Sequence, residues 1–339
     1  MNTLLDRFSF GFESLIVGFF VIASISWVIP SSVYSATTAD HVVLVVMEGV
    51  DNVSIQNGTM PTLKRLAKEG ATSWSAQTLS PPFTVPAMAS LLTGMTVSKH
   101  RVDQEWEEYD FSRSFLRAPT LFDYMDLSAG LDTALFLMDE RFYQLSRPEI
   151  YVDMQVCGKS KPQCNPTLLV SYIQDYLKKV MSEGGHGFRL IDIPGLLVAH
   201  MPAPADAGNK RGWDSKAYHK ALTEVDTAIS ELLNVYKEFE VLNRTMVIVT
   251  GLTGSGGSGG VQLTGTSSGN TTVPWIAWGA NVKPGFEITR HVSIMDTGAT
   301  IMEALGLVTH TEWDSQGIKE IFLMAPEQRT TGNEEVLAR

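Results

Sequence analysis

Two cysteines are all that the 339 residues contain. That scarcity excludes a disulfide-stapled miniprotein, and with no His close by it excludes a thiolate zinc site, which needs about four ligands. Basic residues are also in deficit: 26 Lys and Arg face 37 Asp and Glu, for a formal net charge of -11. No segment concentrates the positive charge that phosphate contacts need, so neither nucleic acid nor an anionic membrane surface is an expected partner. Internal repeats and a convincing domain linker are lacking too. What is present is a globular composition, 44% hydrophobic and 19% charged, in a chain long enough to bury a sizeable core.

One longer apolar run stands near the N-terminus. Arg7 precedes residues 14–30 (SLIVGFFVIASISWVIP), which are followed by small and polar residues. A positive start, an apolar middle and a small-residue exit describe a secretory signal ending near Ser35 or Ala36. An uncleaved anchor is the competing reading, although 17 residues fall short of the ~20 usual for a full span. Either way, residues 1–36 are expected to send the rest out of the cytoplasm, to the periplasm or the medium. A membrane then enters only through that segment. In an oxidising compartment Cys157 and Cys164, seven apart in a loop-like stretch, are expected to form a small-loop disulfide.

Residues 41–50 (HVVLVVMEGV) are apolar at nearly every position before an acid and a glycine. That suits a central parallel strand covered on both faces. Further strands are expected at 132–140, 195–202, 245–251 and 273–279. Helical spacing marks 60–71, 215–239 and 293–307, the last capped near Asp296 or Thr297. Residues 80–95 combine a loop bearing Thr84 with a helix of small and apolar residues. The tract 251–270, rich in Gly and Ser, reads as a flexible loop. Strands alternating with helices predict an α/β domain over 37–324, with a largely parallel central sheet and helices on both faces. Residues 325–339 form a tail. Ligands in such sheets gather outside the carboxyl ends of the strands, which directs attention to Glu48 and Thr84.

The blocks VVLVVMEGV, PTLKRLAKEGAT, SPPFTVPAMASLLTG, HMPAPADAGNKRGWDSKAYHKALTEVD, MVIVTG, TVPWIAWGANVKPG and DTGATIMEALGL resemble, in this order, the type I phosphodiesterase/nucleotide pyrophosphatase family of the alkaline phosphatase superfamily. The resemblance covers most of residues 41–307. It implies an alkaline-phosphatase-like fold and hydrolysis of phosphodiesters or phosphate esters. It also implies two zinc ions held by six Asp and His side chains, with a Thr or Ser nucleophile activated by one metal.

Carried over residue by residue, the resemblance places the nucleophile on Thr84, within a TxPxxxSLLTG pattern that is otherwise kept. The ligand positions fall on Glu48 in place of Asp, Ala205 in place of Asp, Asn209 in place of His, and Leu252 and Thr253 in place of an Asp-His pair. No histidine lies between His219 and His291 to supply the last. Asp206, one residue from the Asp position, is the candidate substitute. Framework residues Gly208, Gly212, Trp213 and Ser215 persist.

No metal cofactor is therefore expected, and Thr84 is a vestigial nucleophile whose hydroxyl is expected to cap the following helix. Glu48 is expected to pair with Lys210 or Arg211. Trp213, Trp275 and Trp278 are expected in the core, and Asp103, Glu105, Glu107, Glu108 and Asp110 on an exposed acidic face. The implied function is that of an exported pseudoenzyme, binding a small ligand or serving a protein complex. The alternative is an active phosphodiesterase or phosphatase using Thr84 with Glu48, Asp206 and water.

Overall fold

The computed structural model describes residues 38–106, 110, 112–145, 153–157, 164–183, 193–256 and 271–326. All of them fall within a compact unit spanning Ala36–Arg339. The apolar run at 14–30, residues 257–270 of the Gly-rich tract, Glu107, Glu108 and most of the tail lie outside the described residues. No described helix is long and apolar enough to cross a membrane.

Strand β1 (His41–Glu48) is buried at all eight positions. It lies between β5 (Leu196–Met201) and β6 (Thr245–Thr253), parallel to both. On one side the sheet continues through β3 (Thr133–Leu137) to β4 (Asp153–Val156). On the other it passes through β7 (Thr272–Gly279) and β2 (Ala71–Gln77) to β8 (Phe286–Glu287), giving the order β4-β3-β5-β1-β6-β7-β2-β8. Only the β6–β7 and β7–β2 pairings are antiparallel, so the sheet is largely parallel as expected.

Alternation along β1 divides the interior into two cores. Val42, Leu44 and Val46 pack with Val85 and Leu91 of α3 (Thr84–Thr93), Phe122 of α5 (Leu121–Ala129) and Ile301 of α9 (Asp296–Ala304), the short α4 (Val97–His100) lying between α3 and α5 in the chain. Val43, Val45 and Met47 face Ile55 of α1 (Asn52–Gln56), Leu63 and Leu66 of α2 (Pro61–Glu69), Ile173 of α6 (Pro166–Glu183) and Val225 of α8 (Lys216–Glu238). A strand covered on both faces has no solvated side, which explains its run of Val, Leu and Met.

The strands expected at 41–50, 132–140, 195–202, 245–251 and 273–279 all form, with trimmed or extended ends. Residues 252–253, read as loop, instead continue β6. Strand β2 escaped the sequence reading because ATSWSAQ has no clean alternation, and its pairing with β7 shifts register between Ser73 and Ala76. Helix α7 (Ala203–Arg211) forms where only a motif was recognised. Helix α9 is preceded by Met295 and lacks a side-chain cap; Asp296 instead accepts from the Ser293 and Gln316 amides. Cys157 and Cys164 are joined in a disulfide.

The turn after β1 depends on glycine. Gly49 has φ 73°, and a Cβ there would lie 2.7 Å from the Ala205 Cα and 2.9 Å from the Trp213 ring. The Trp213 ring also lies against Gly208 and Gly256, so three glycines leave the space that the indole fills. Tyr218 closes the same corner by donating its hydroxyl to the Gly49 carbonyl at 2.8 Å. Gly49→Ala combines a left-handed backbone with overpacking and is expected to destabilise the fold by about 3 kcal/mol. Urea unfolding of the variant against the wild type measures this; a loss under about 1 kcal/mol would show that the corner yields freely.

Candidate functional site

The carboxyl ends of β1, β3 and β5, with the start of α3, converge on one polar cluster. Glu48 is the last residue of β1 and is buried; its Oε1 lies 2.8 Å from His200 Nε2 on β5, and His200 is fully buried. A carboxylate only accepts, so the imidazole donates from Nε2. Phe142 packs edge-on against the His200 ring, with 4.6 Å between centroids. His200 Nδ1 has no hydrogen-bond partner among the described residues.

Thr84 opens α3, but its hydroxyl does not cap the helix. The N-cap position falls on Phe83 without a side-chain cap bond. Thr84 Oγ1 instead donates to Glu105 Oε1 at 2.8 Å, and the Val85 amide donates to Glu105 Oε2 at 3.3 Å. A carboxylate from another part of the chain thus meets the free amides and positive end of the helix. Glu105 was expected on an exposed acidic face. It is turned inward, with its side chain only 28% exposed; Asp103 does remain exposed.

Arg141 joins these groups. Its Nη1 donates to Glu105 Oε1 and to the Trp106 carbonyl, each at 2.9 Å. Its Nη2 donates to Asp139 Oδ2 at 2.7 Å, and its Nε lies 3.0 and 2.9 Å from the two Asp139 oxygens. The guanidinium is 14% exposed and Asp139 1%. Burial works against the Arg141 charge, but the Asp139 hydrogen bonds and the charges of Asp139, Glu48 and Glu105 outweigh it and raise its pKa. Burial also raises the Glu105 pKa, against the opposing pull of the Thr84 hydrogen bond and the Arg141 charge.

The remaining sequence candidates do not assemble around Glu48. Ala205 is buried against Gly49 and offers no donor atom. Asn209 is exposed on α7. Leu252 is buried in the hydrophobic core. Thr253 Oγ1 accepts from the Gly49 amide at 3.2 Å, which the Thr253 carbonyl also accepts at 2.9 Å. Asp206 lines a cleft of about 460 Å³ with Met138, Asn165, Lys210 and Arg211, and neither Glu48 nor Thr84 lines it. Lys210 and Arg211 are exposed, so the expected pairing of Glu48 with either is replaced by His200 and the nearby charge of Arg141. Among the described residues no three His, Cys, Asp or Glu side chains form a group suited to a metal ion.

Trp213 and Trp275 are buried as expected, and Trp275 donates to Thr297 Oγ1 at 3.0 Å. Trp278 is only partly buried and has Arg65 over its ring. Sequence reasoning missed Asp139, Arg141 and the roles of Glu105 and His200. A signal was available for two of them: Asp139-Glu140-Arg141 begins one residue past β3, at the carboxyl rim where ligands gather.

The model of the type I phosphodiesterase/nucleotide pyrophosphatase family matches residues 42–254. No curated protein matches the chain. Among solved structures, the chain is similar to a Bacteroides thetaiotaomicron protein of glycosaminoglycan metabolism, BT33494S-sulf, at 16% identity and TM-score 0.61, covering 86% of this chain and 78% of that one. BT1596, a 2-O GAG sulfatase, gives 13% identity and TM-score 0.64, with 86% and 76% covered. Ps i-CgsB gives 16% and 0.63, with 83% and 75% covered. At these identities the likeness is one of fold, and it is the alkaline-phosphatase-like α/β fold.

His100 holds the segment that carries Glu105. Its Nδ1 accepts from the Val102 amide at 3.1 Å, which leaves Nε2–H to donate to Ser90 Oγ on α3 at 2.9 Å. Burial lowers its pKa to about 4. Below pH 6.5 the unfolded imidazole takes up a proton that the folded one refuses until about pH 4, so stability falls as pH falls through that window. His100 is 3% exposed, so the loss expected from this group is up to about 3 kcal/mol. Urea unfolding at both ends of the window checks it: His100→Gln should show a flatter profile, and an equally steep one would assign the loss to other groups.

Proposed function

We infer that this chain, which belongs to the type I phosphodiesterase/nucleotide pyrophosphatase family, serves as an exported binding or complex-forming protein and not as a two-metal hydrolase. The observation carrying this reading is the chemistry at the ligand positions. A two-zinc site requires three or more N, O or S donors per ion. The positions implied by the family resemblance hold an alanine, a leucine, an exposed asparagine and a threonine whose hydroxyl accepts a backbone amide. The one carboxylate among them, Glu48, is bonded to His200. These residues do not fit two zinc ions.

The retained framework supports a role for the fold itself. Gly49, Gly208 and Trp213 interlock although the ligands around them have changed. A fold kept without its chemistry is kept for a surface or a pocket. Export is supported by the apolar run at 14–30 and by the Cys157–Cys164 disulfide, which suits an oxidising compartment. The partner is then a small ligand or another protein.

The Thr84–Glu105 hydrogen bond favours one second reading: metal-independent hydrolysis in which Glu105 takes the Thr84 proton. A single assay separates the two. Zinc is added in excess to the purified mature protein, loosely held ions are removed, and metal per chain is measured beside hydrolysis of bis-p-nitrophenyl phosphate. The first reading expects metal near zero and turnover at background, with Thr84→Ala no different. Two zinc ions per chain would sink it; metal-free turnover abolished by Thr84→Ala would establish the second.

A further inference from the structure

We propose that Arg141 is the resident cation of this site, a guanidinium that balances the carboxylates at the sheet's rim where the family uses metal ions. The inference rests on the metal-free reading above and goes beyond it by naming what replaces the ions.

Three acidic groups meet at this point from separate parts of the chain. Glu48 ends the central strand, Asp139 follows β3, and Glu105 comes from the segment after α3. All three act on Arg141, Asp139 and Glu105 through direct hydrogen bonds and Glu48 through its charge. Buried carboxylates without a cation would be costly, because low-dielectric surroundings penalise each charge and strengthen repulsion among them. A divalent ion is one solution. A guanidinium is another, since its planar fork reaches two carboxylates in fixed geometry and stays charged when buried.

The donor count supports a structural cation over an anion receptor. Nε, both hydrogens of Nη1 and one of Nη2 are engaged by Asp139, Glu105 and the Trp106 carbonyl. That is four of the five N–H groups a guanidinium carries. A phosphoryl or sulfuryl group arriving here would meet a cation already committed to carboxylates. Arg141 also reaches the former nucleophile: it holds Glu105, and Glu105 receives both the Thr84 hydroxyl and the Val85 amide. Arg141 is therefore a positioning residue for the start of α3.

The test compares thermal unfolding, in buffer containing EDTA, of the wild type, Arg141→Met, and a triple variant that adds Glu105→Gln and Asp139→Asn. Methionine keeps much of the buried volume and removes the charge. The single variant is expected to melt several degrees lower, and the triple variant to recover at least half of that loss. Recovery by neutralising the carboxylates is the signature of charge balance, which a packing role would not produce. A single variant melting with the wild type, or a triple variant melting no higher than the single, would overturn the proposal. If Arg141→Met yields no folded protein, Arg141→Lys takes its place: a retained charge predicts folded protein with an intermediate melting point, and failure to fold would also overturn it. A wild type holding two zinc ions defeats both this proposal and the metal-free reading. A metal-free wild type whose single variant melts unchanged defeats this one alone.

Discussion

A carboxylate at the end of a fully buried strand must be neutralised, and much of the polar architecture follows from that constraint. Strand β1 is enclosed by β5 and β6 in the sheet and by helices on both faces, so Glu48 emerges into an environment with little water. Removing a charge from water costs several kcal/mol even after relaxation. Here the compensation is internal: an imidazole bonds Glu48 directly, and a guanidinium shares its charge with Glu48, Glu105 and Asp139. The network ties the ends of β1, β3 and β5 to the start of α3. Those elements reach the rim from distant parts of the sequence, and the ionic contacts add a directional constraint to the non-directional packing of the two cores.

The same rim shows how packing and ligand chemistry can be separated within one fold. Metal ligands project into the site from the ends of strands and helices, and exchanging one changes the donor set without touching the packing behind it. Ala205 illustrates this. Its lack of a donor leaves the contact of its backbone with Gly49 intact, and that contact is a packing constraint on the turn after β1. Gly208 is constrained in the same way, because the Trp213 ring occupies the space where its side chain would be. Framework and ligand positions lie within a few residues of each other and answer to different physical demands. Steric demands fix the glycines, while the side chains at positions 205, 209, 252 and 253 differ in donor type from those the family resemblance implies.

The fold was legible in the sequence where a single physical cause set the pattern. Complete enclosure makes β1 and β6 continuous apolar runs, and amphipathic spacing marks α2 and α8. Strand β2 was obscured because its register shift and partly exposed Trp74 break the period on which such readings depend. The site was legible only at positions fixed by a motif. Thr84 and Glu48 lie at the rim to which the strand ends point, but their partners could not be read from the sequence: Glu105 lies 21 residues from Thr84, and His200 lies 152 from Glu48. Local spacing cannot encode pairings of that kind. Five acids in VDQEWEEYD look alike in composition, yet one of them is drawn inward by a guanidinium 36 residues away.

That inward turn bears on the chemistry left to Thr84. A threonine hydroxyl becomes a nucleophile only when something removes its proton or lowers its pKa. Glu105 is close enough to accept the proton, and burial makes it a somewhat better base than an exposed carboxylate. Its two oxygens are also committed to the Val85 amide and to Arg141. Both contacts stabilise the ionised form and draw its basicity back down. Protonating Glu105 would weaken the cap on α3 and the pair with Arg141 together, a cost that rises with every bond the carboxylate makes. The geometry that holds Thr84 in place therefore opposes its activation by Glu105.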